Sequence, residues 1–164
     1  LLDHTLEVLQ TLWREPRAAY DSPELHFEAT HLMPKPRQPG GVPIWISGTV
    51  NPRVVRRLAT FGSGWIPWGP AAADPVAGIA EMKERLAEAG RDPSDLQVTG
   101  TLPQLKADDG SFDVDRTMAQ VPALAAAGLT DVRGRFKLPD DRSAAVDELS
   151  RIVAAFRAAA GRTD

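Results

Sequence analysis

Val42-Pro43-Ile44-Trp45-Ile46-Ser47-Gly48-Thr49-Val50-Asn51-Pro52 is an apolar run that ends in a small polar turn and passes at once into a helix start. Branched and aromatic side chains suit a strand. Asn51-Pro52 then places a capping side chain and a proline at the first helical position, ahead of the stripe Val54/Val55, Leu58 and Phe61. A strand feeding directly into a helix is one βα unit, and the downstream sequence repeats the arrangement. Strands are expected over residues 42–47, 64–67, 96–102 and 130–134. Asp74-Pro75 opens a second helix through Val76, Ile79, Met82 and Leu86, with Gly90 as its stop. Asp113 or Asp115 opens a weaker one through Met118, Val121 and Leu124, which Pro122 should kink or restart. Residues 141–160 carry Val146, Leu149, Val153 and Phe156, and Gly161 ends them. Four strands alternating with four helices predict a parallel α/β sheet with right-handed crossovers. An open doubly wound sheet and half of a (β/α)8 barrel both satisfy that pattern.

Upstream, Leu2, Leu6, Leu9 and Trp13 mark an amphipathic helix with no capping residue before it. This predicts that the sequence starts inside a helix and is the C-terminal part of something longer. Pro16 ends that helix. Six of the 14 prolines fall between Pro16 and Pro43, so residues 16–41 are expected to be an extended excursion loop. Within it, His26-Phe27-Glu28-Ala29-Thr30 suits a short β-ribbon. A full barrel takes ~250 residues, whereas this chain has 164. Residues 1–164 are therefore read as one partial domain.

Composition narrows the chemistry. No run approaches the ~20 apolar residues of a membrane span, so a cytoplasmic protein with no membrane partner is expected. The absence of cysteine excludes disulfides, thiolate metal sites and a thiol nucleophile. Nineteen basic against 22 acidic residues give a net charge of −3, which offers no case for nucleic acid.

Two stretches could carry function. After the first strand, Ser47, Gly48, Thr49 and Asn51 combine hydroxyls, a close-approach glycine and a helix N-terminus, features that favour a phosphate. An ordinary capped βα turn explains them equally well. At the second strand, Gly64, Trp65, Ile66 and Pro67 with Trp68, Gly69 and Pro70 could form a rigid, flat-walled loop at the strand's C-terminal end, the face where parallel α/β folds bind ligands. Trp65 alone reads equally as core. Neither GxGxxG nor GxxxxGK[ST] occurs. His26 and His31 near Glu24 and Glu28 do not have the spacing of a metal site, so no metal is expected. Arg53, Arg56 and Arg57 read as a solvated helix face.

Several of these stretches together resemble one family, the luciferase-like flavin monooxygenases and coenzyme F420-dependent oxidoreductases. His26-Phe27-Glu28, Leu32-Met33-Pro34-Lys35-Pro36-Arg37-Gln38-Pro39 and Val42-Pro43-Ile44-Trp45-Ile46-Ser47-Gly48 look like its F-[ES]-G turn, P-K-P-x-Q-x-P stretch and P-I-W-I-G-G strand. Arg56-Arg57-Leu58-Ala59 with Gly62-Ser63-Gly64-Trp65-Ile66-Pro67 resembles its R-x-A-x-x-G-D-G-W-x-P, and Ala89-Gly90-Arg91-Asp92-Pro93 its G-R-D-P turn. Ser47 and Ser63 depart from the family's usual Gly and Asp. The resemblance implies a (β/α)8 barrel of which this chain is the C-terminal half. It also implies hydride transfer between F420 (alternatively FMN) and an organic small molecule, with Ser47, Gly48, Thr49 and Asn51 holding the coenzyme phosphate and Gly64, Trp65, Ile66 and Pro67 shaping the pocket rim. The half that supplies most ring contacts and the usual proton donor would lie outside this chain, and the catalytic residues stay unassigned. The competing expectation is a non-catalytic half-barrel that binds a phosphorylated ligand or pairs with a second copy. A homo-oligomer is expected on either reading.

Overall fold

The computed structural model describes residues 1–161. Helix α1 (Leu2–Arg14) leads into an antiparallel ribbon of β1 (Ala18–Asp21) and β2 (His26–Thr30). The core of the chain then runs β3 (Trp45–Gly48), α2 (Pro52–Phe61), β4 (Gly64–Pro67), a short α3 (Pro70–Ala73), α4 (Pro75–Glu88), β5 (Gln97–Thr101), α5 (Val114–Met118), α6 (Val121–Ala127), β6 (Asp131–Arg133) and α7 (Arg142–Ala159).

The strands β3, β4, β5 and β6 lie in sequence order in one four-stranded sheet, and every pairing is parallel. This order has no reversal, so it lacks the switch point that defines a doubly wound sheet. Neighbouring helices touch in turn, α2 on α4, α4 on α6 and α6 on α7. They form a single layer, as sequential right-handed crossovers require. The doubly wound alternative is therefore excluded. The fold is α/β with a singly wound parallel sheet.

Register explains what is buried. Ile46, Trp65 and Val98 stand side by side on one sheet face and share the core with Val54 and Leu58 of α2 and Ile79, Met82 and Leu86 of α4. Alternation sends Ser47, Ile66, Thr99, Thr101 and Arg133 to the opposite face, where Ser47, Thr101 and Arg133 are exposed, Thr99 is buried, and α3 reaches the rim through Ala71.

Local chemistry sets the element ends. Strand β3 starts at Trp45 rather than 42 because Pro43 has no N–H to pair; both Ser63 and Gly64 donate backbone N–H groups to the Ile44 carbonyl. The helix expected around Pro122 is broken into α5 and α6, with that proline in the first turn of the second. Asp74, Asp113 and Asp141 each accept a backbone N–H at a helix start.

Residues 16–41 are not loop throughout. Tyr20 stacks on Phe27 across the ribbon, and its hydroxyl donates to Glu7 of α1. The Lys35 ammonium caps the C-terminus of α1 by donating to the carbonyls of Leu12 (2.7 Å) and Glu15 (2.6 Å). Asp3 ties α1 to α2 through Arg56 and Arg57. The Arg57 guanidinium holds the Asp3 carboxyl below its ordinary range. Arg91 donates to the carbonyls of Leu58 and Gly62 and to Asp95, so the Gly-Arg-Asp-Pro turn anchors the C-terminal end of α2. No helix is long and apolar enough to cross a membrane among the described residues.

Candidate functional site

The two candidate stretches meet at the C-terminal ends of β3 and β4. The Gly48 carbonyl accepts the Trp68 backbone N–H at 3.2 Å and the Trp65 indole N–H at 3.0 Å. A Cβ on Gly69 would stand 3.3 Å from the Thr49 methyl, so the two loops abut. Ser47 and Thr49 are exposed.

Asn51 caps α2, as its place before Pro52 predicts. Its Oδ1 accepts the N–H groups of both Arg53 and Val54, and its backbone carbonyl accepts from Val55. Pro52 has no N–H at all. The N-terminus of α2 therefore has no free donor for an anion, and the helix-terminus argument fails for this turn. What remains is the Thr49 hydroxyl, which accepts from the Asn51 amide at 3.2 Å and keeps its own proton to donate. The backbone N–H groups of Thr49, Val50 and Asn51 also have no acceptor among the described residues. Asn51 Nδ2 also donates to the Thr49 carbonyl at 3.0 Å, so its side chain holds the turn from both ends.

Gly48 is also reassigned. Its φ is +151°, and a Cβ added there would stand 2.8 Å from Val54 Cγ2. Both require glycine for packing against α2, with or without a ligand. Trp65 is fully buried, so its ring is core and not an aromatic wall; it braces the turn through Gly48. Gly64 is buried beneath the Trp45 ring, where a Cβ would come within 2.6 Å of Trp45 Cδ2. Ile66 and Pro67 are half-buried at the rim. Trp68, 62% exposed, is the open aromatic surface.

A cavity of about 90 Å³ sits beside this rim, between Ile66, Pro67, Ala71, Thr99, Thr101 and Arg133. The sequence reading missed Thr101 and Arg133. Taking the last residue of every expected strand as a rim position would have pointed to this region. A larger groove of about 630 Å³ runs between α2 and α4 on the helical side, past Val55, Ala59, Arg85 and Glu88; it touches the site only at Val50–Pro52. Arg56 and Arg57 face Asp3, away from anion duty. His26 pairs with Asp21 at 3.0 Å on the exposed ribbon, and no group of three metal-ligating side chains forms among the described residues.

The model of the family described as luciferase-like monooxygenase matches residues 1–161. This chain belongs to that family. No curated protein matches the sequence. Among solved structures, it is similar to an F420-dependent secondary alcohol dehydrogenase in complex with an F420–acetone adduct (17% identity, 93% of this chain and 52% of that one, TM-score 0.48). It is also similar to the coenzyme F420-dependent tetrahydromethanopterin reductase of Methanopyrus kandleri (14%, 94% and 54%, 0.48). A third is a monooxygenase from Streptomyces bottropensis (16%, 97% and 48%, 0.49). The chain spans about half the length of each.

Proposed function

We propose that this chain is the C-terminal half of a (β/α)8 barrel, a single partial domain, in an F420-dependent oxidoreductase that reduces or oxidises a small organic molecule. The observation that carries the reading is the bare sheet face. Among the described residues, a singly wound parallel sheet leaves Ser47, Thr101 and Arg133 of its second face exposed and the edges of β3 and β6 unpaired. Such edges are a liability unless further strands close the cylinder. F420 is taken over FMN because the family resemblance runs closer to its deazaflavin branch.

The donor set suits the coenzyme's phosphate and not its ring. Thr49 Oγ1, the exposed Ser47 hydroxyl and the free N–H groups of residues 49–51 would hold phosphate oxygens. Gly48 and Asn51 fix that turn from behind, and Ile66 and Pro67 form the rim, braced by Trp65 and Gly64. The coenzyme itself supplies hydride chemistry when bound. The residues of this chain orient it and exclude water from one side; the proton donor lies elsewhere. Nucleic acid, membrane and metal play no part in this reading, which places the protein in the cytoplasm.

Fluorescence titration with F420 and, separately, FMN tests it. Tighter binding of F420, weakened about tenfold by Thr49→Val, is the expected result. Equal affinity of wild type and Thr49→Val would remove this turn from the site. A second reading rests on the same open edges: two copies close one barrel without catalysis. A dimer by size-exclusion mass that binds neither coenzyme would favour it.

A further inference from the structure

The rim offers donors at two places. On the β3–α2 side the helix N–H groups are consumed by Asn51. On the other side, Thr101 and Arg133 are register partners at the ends of β5 and β6. Both project to the bare face, both are exposed, and both line the cavity of about 90 Å³. Asp131 lies on the same strand and face, but the Thr99 hydroxyl is turned toward it at 3.4 Å. The Arg133 guanidinium makes no ion pair among the described residues. An unpaired surface arginine alone means little. Here it stands over a concavity at strand C-terminal ends, where parallel α/β folds bind ligands, beside a hydroxyl and against the apolar walls Ile66, Pro67 and Ala71. Low local polarity strengthens a charge-assisted hydrogen bond.

Size selects the ligand group. Pockets that enclose drug-sized ligands run to roughly 300–1,000 Å³, so this cavity of about 90 Å³ suits a compact acidic head. Net charge of −3 gives no general attraction for anions, so recognition must be local. We infer that Arg133 and Thr101 form a recognition site for one oxyanion, a carboxylate or phosphate, carried by the coenzyme's tail or by the substrate. The inference rests on the reading that the strand ends face the ligand.

Calorimetric titration with inorganic phosphate, and in parallel with F420, tests it on wild type, Arg133→Ala, Arg133→Lys and Thr101→Val, each checked for fold by circular dichroism. Saturable phosphate binding that falls at least tenfold in Arg133→Ala, and less in Arg133→Lys, is expected. If Arg133→Ala also weakens F420, the oxyanion belongs to the coenzyme; if F420 affinity is unchanged, it belongs to the substrate. Phosphate binding indifferent to Arg133→Ala, or none at all, overturns the site even where F420 binds. Phosphate binding that depends on Arg133 in a chain that binds no F420 keeps the site and discards the coenzyme assignment.

Discussion

The two faces of the sheet are built from alternate residues of the same four short strands, yet they obey different rules. On the covered face, Ile46, Trp65 and Val98 are buried against α2 and α4. On the bare face, Ser47, Thr101 and Arg133 are exposed and polar. One register therefore separates a packed face from an exposed polar one, and a one-residue slip would exchange them. The contrast teaches that proximity in sequence says little about role. Trp65 belongs to the scaffold and its neighbour Ile66 to the rim.

The sharpest way to break the contrast is a matched pair of substitutions. Trp65→Ala should cost about 3–5 kcal/mol of unfolding free energy and Thr101→Ala less than about 0.5 kcal/mol, both read from urea denaturation. Comparable losses at the two positions would end the division between faces. Gly48→Val comes next. With Val54 Cγ2 2.8 Å from the added Cβ and φ at +151°, it should lose about 1–3 kcal/mol in the absence of any ligand. A stable Gly48→Val that only weakens coenzyme binding would return Gly48 to the ligand side. Asn51→Ala should cost about 1 kcal/mol as a lost helix cap while freeing the N–H groups of Arg53 and Val54. Thermal melts with and without phosphate would then show whether the vacated turn gains anion affinity.

The smallest effect concerns pH. Because Arg57 lowers the folded-state pKa of Asp3 below its ordinary 3.8, the α1–α2 tether contributes fully above about pH 3.8 and is lost as pH falls through the lower folded value. Asp3→Asn should flatten the stability profile in that acid window and leave neutral pH little changed. An identical acid limb in wild type and Asp3→Asn would show that the pairing with Arg56 and Arg57 contributes nothing.

Much of the covered face was legible in the sequence, because apolar periodicity and Asn-Pro or Asp-Pro helix starts are local signals. Strand β4 falls on residues 64–67 as expected, and Pro122 does restart a helix. The ribbon strand β1 was missed because its order comes from distant partners, Phe27 and Glu7, that no local pattern reveals. The site was harder. That an Asn before a proline caps a helix can be read directly; that this same capping takes up the helix N–H groups of Arg53 and Val54 follows only from seeing both on Oδ1. Arg133 was invisible for a related reason, since its register with Thr101 is a property of the sheet and not of either segment.

Arg91 carries a lesson for protein engineering. Its guanidinium fastens the C-terminal end of α2 to the segment that enters β4, although it sits at the opposite end of the strands from the rim. Anyone grafting the Ser47–Asn51 and Gly64–Pro67 loops onto another scaffold would need to transplant this distant clasp with them, since the angle at which the second loop arrives is set from below.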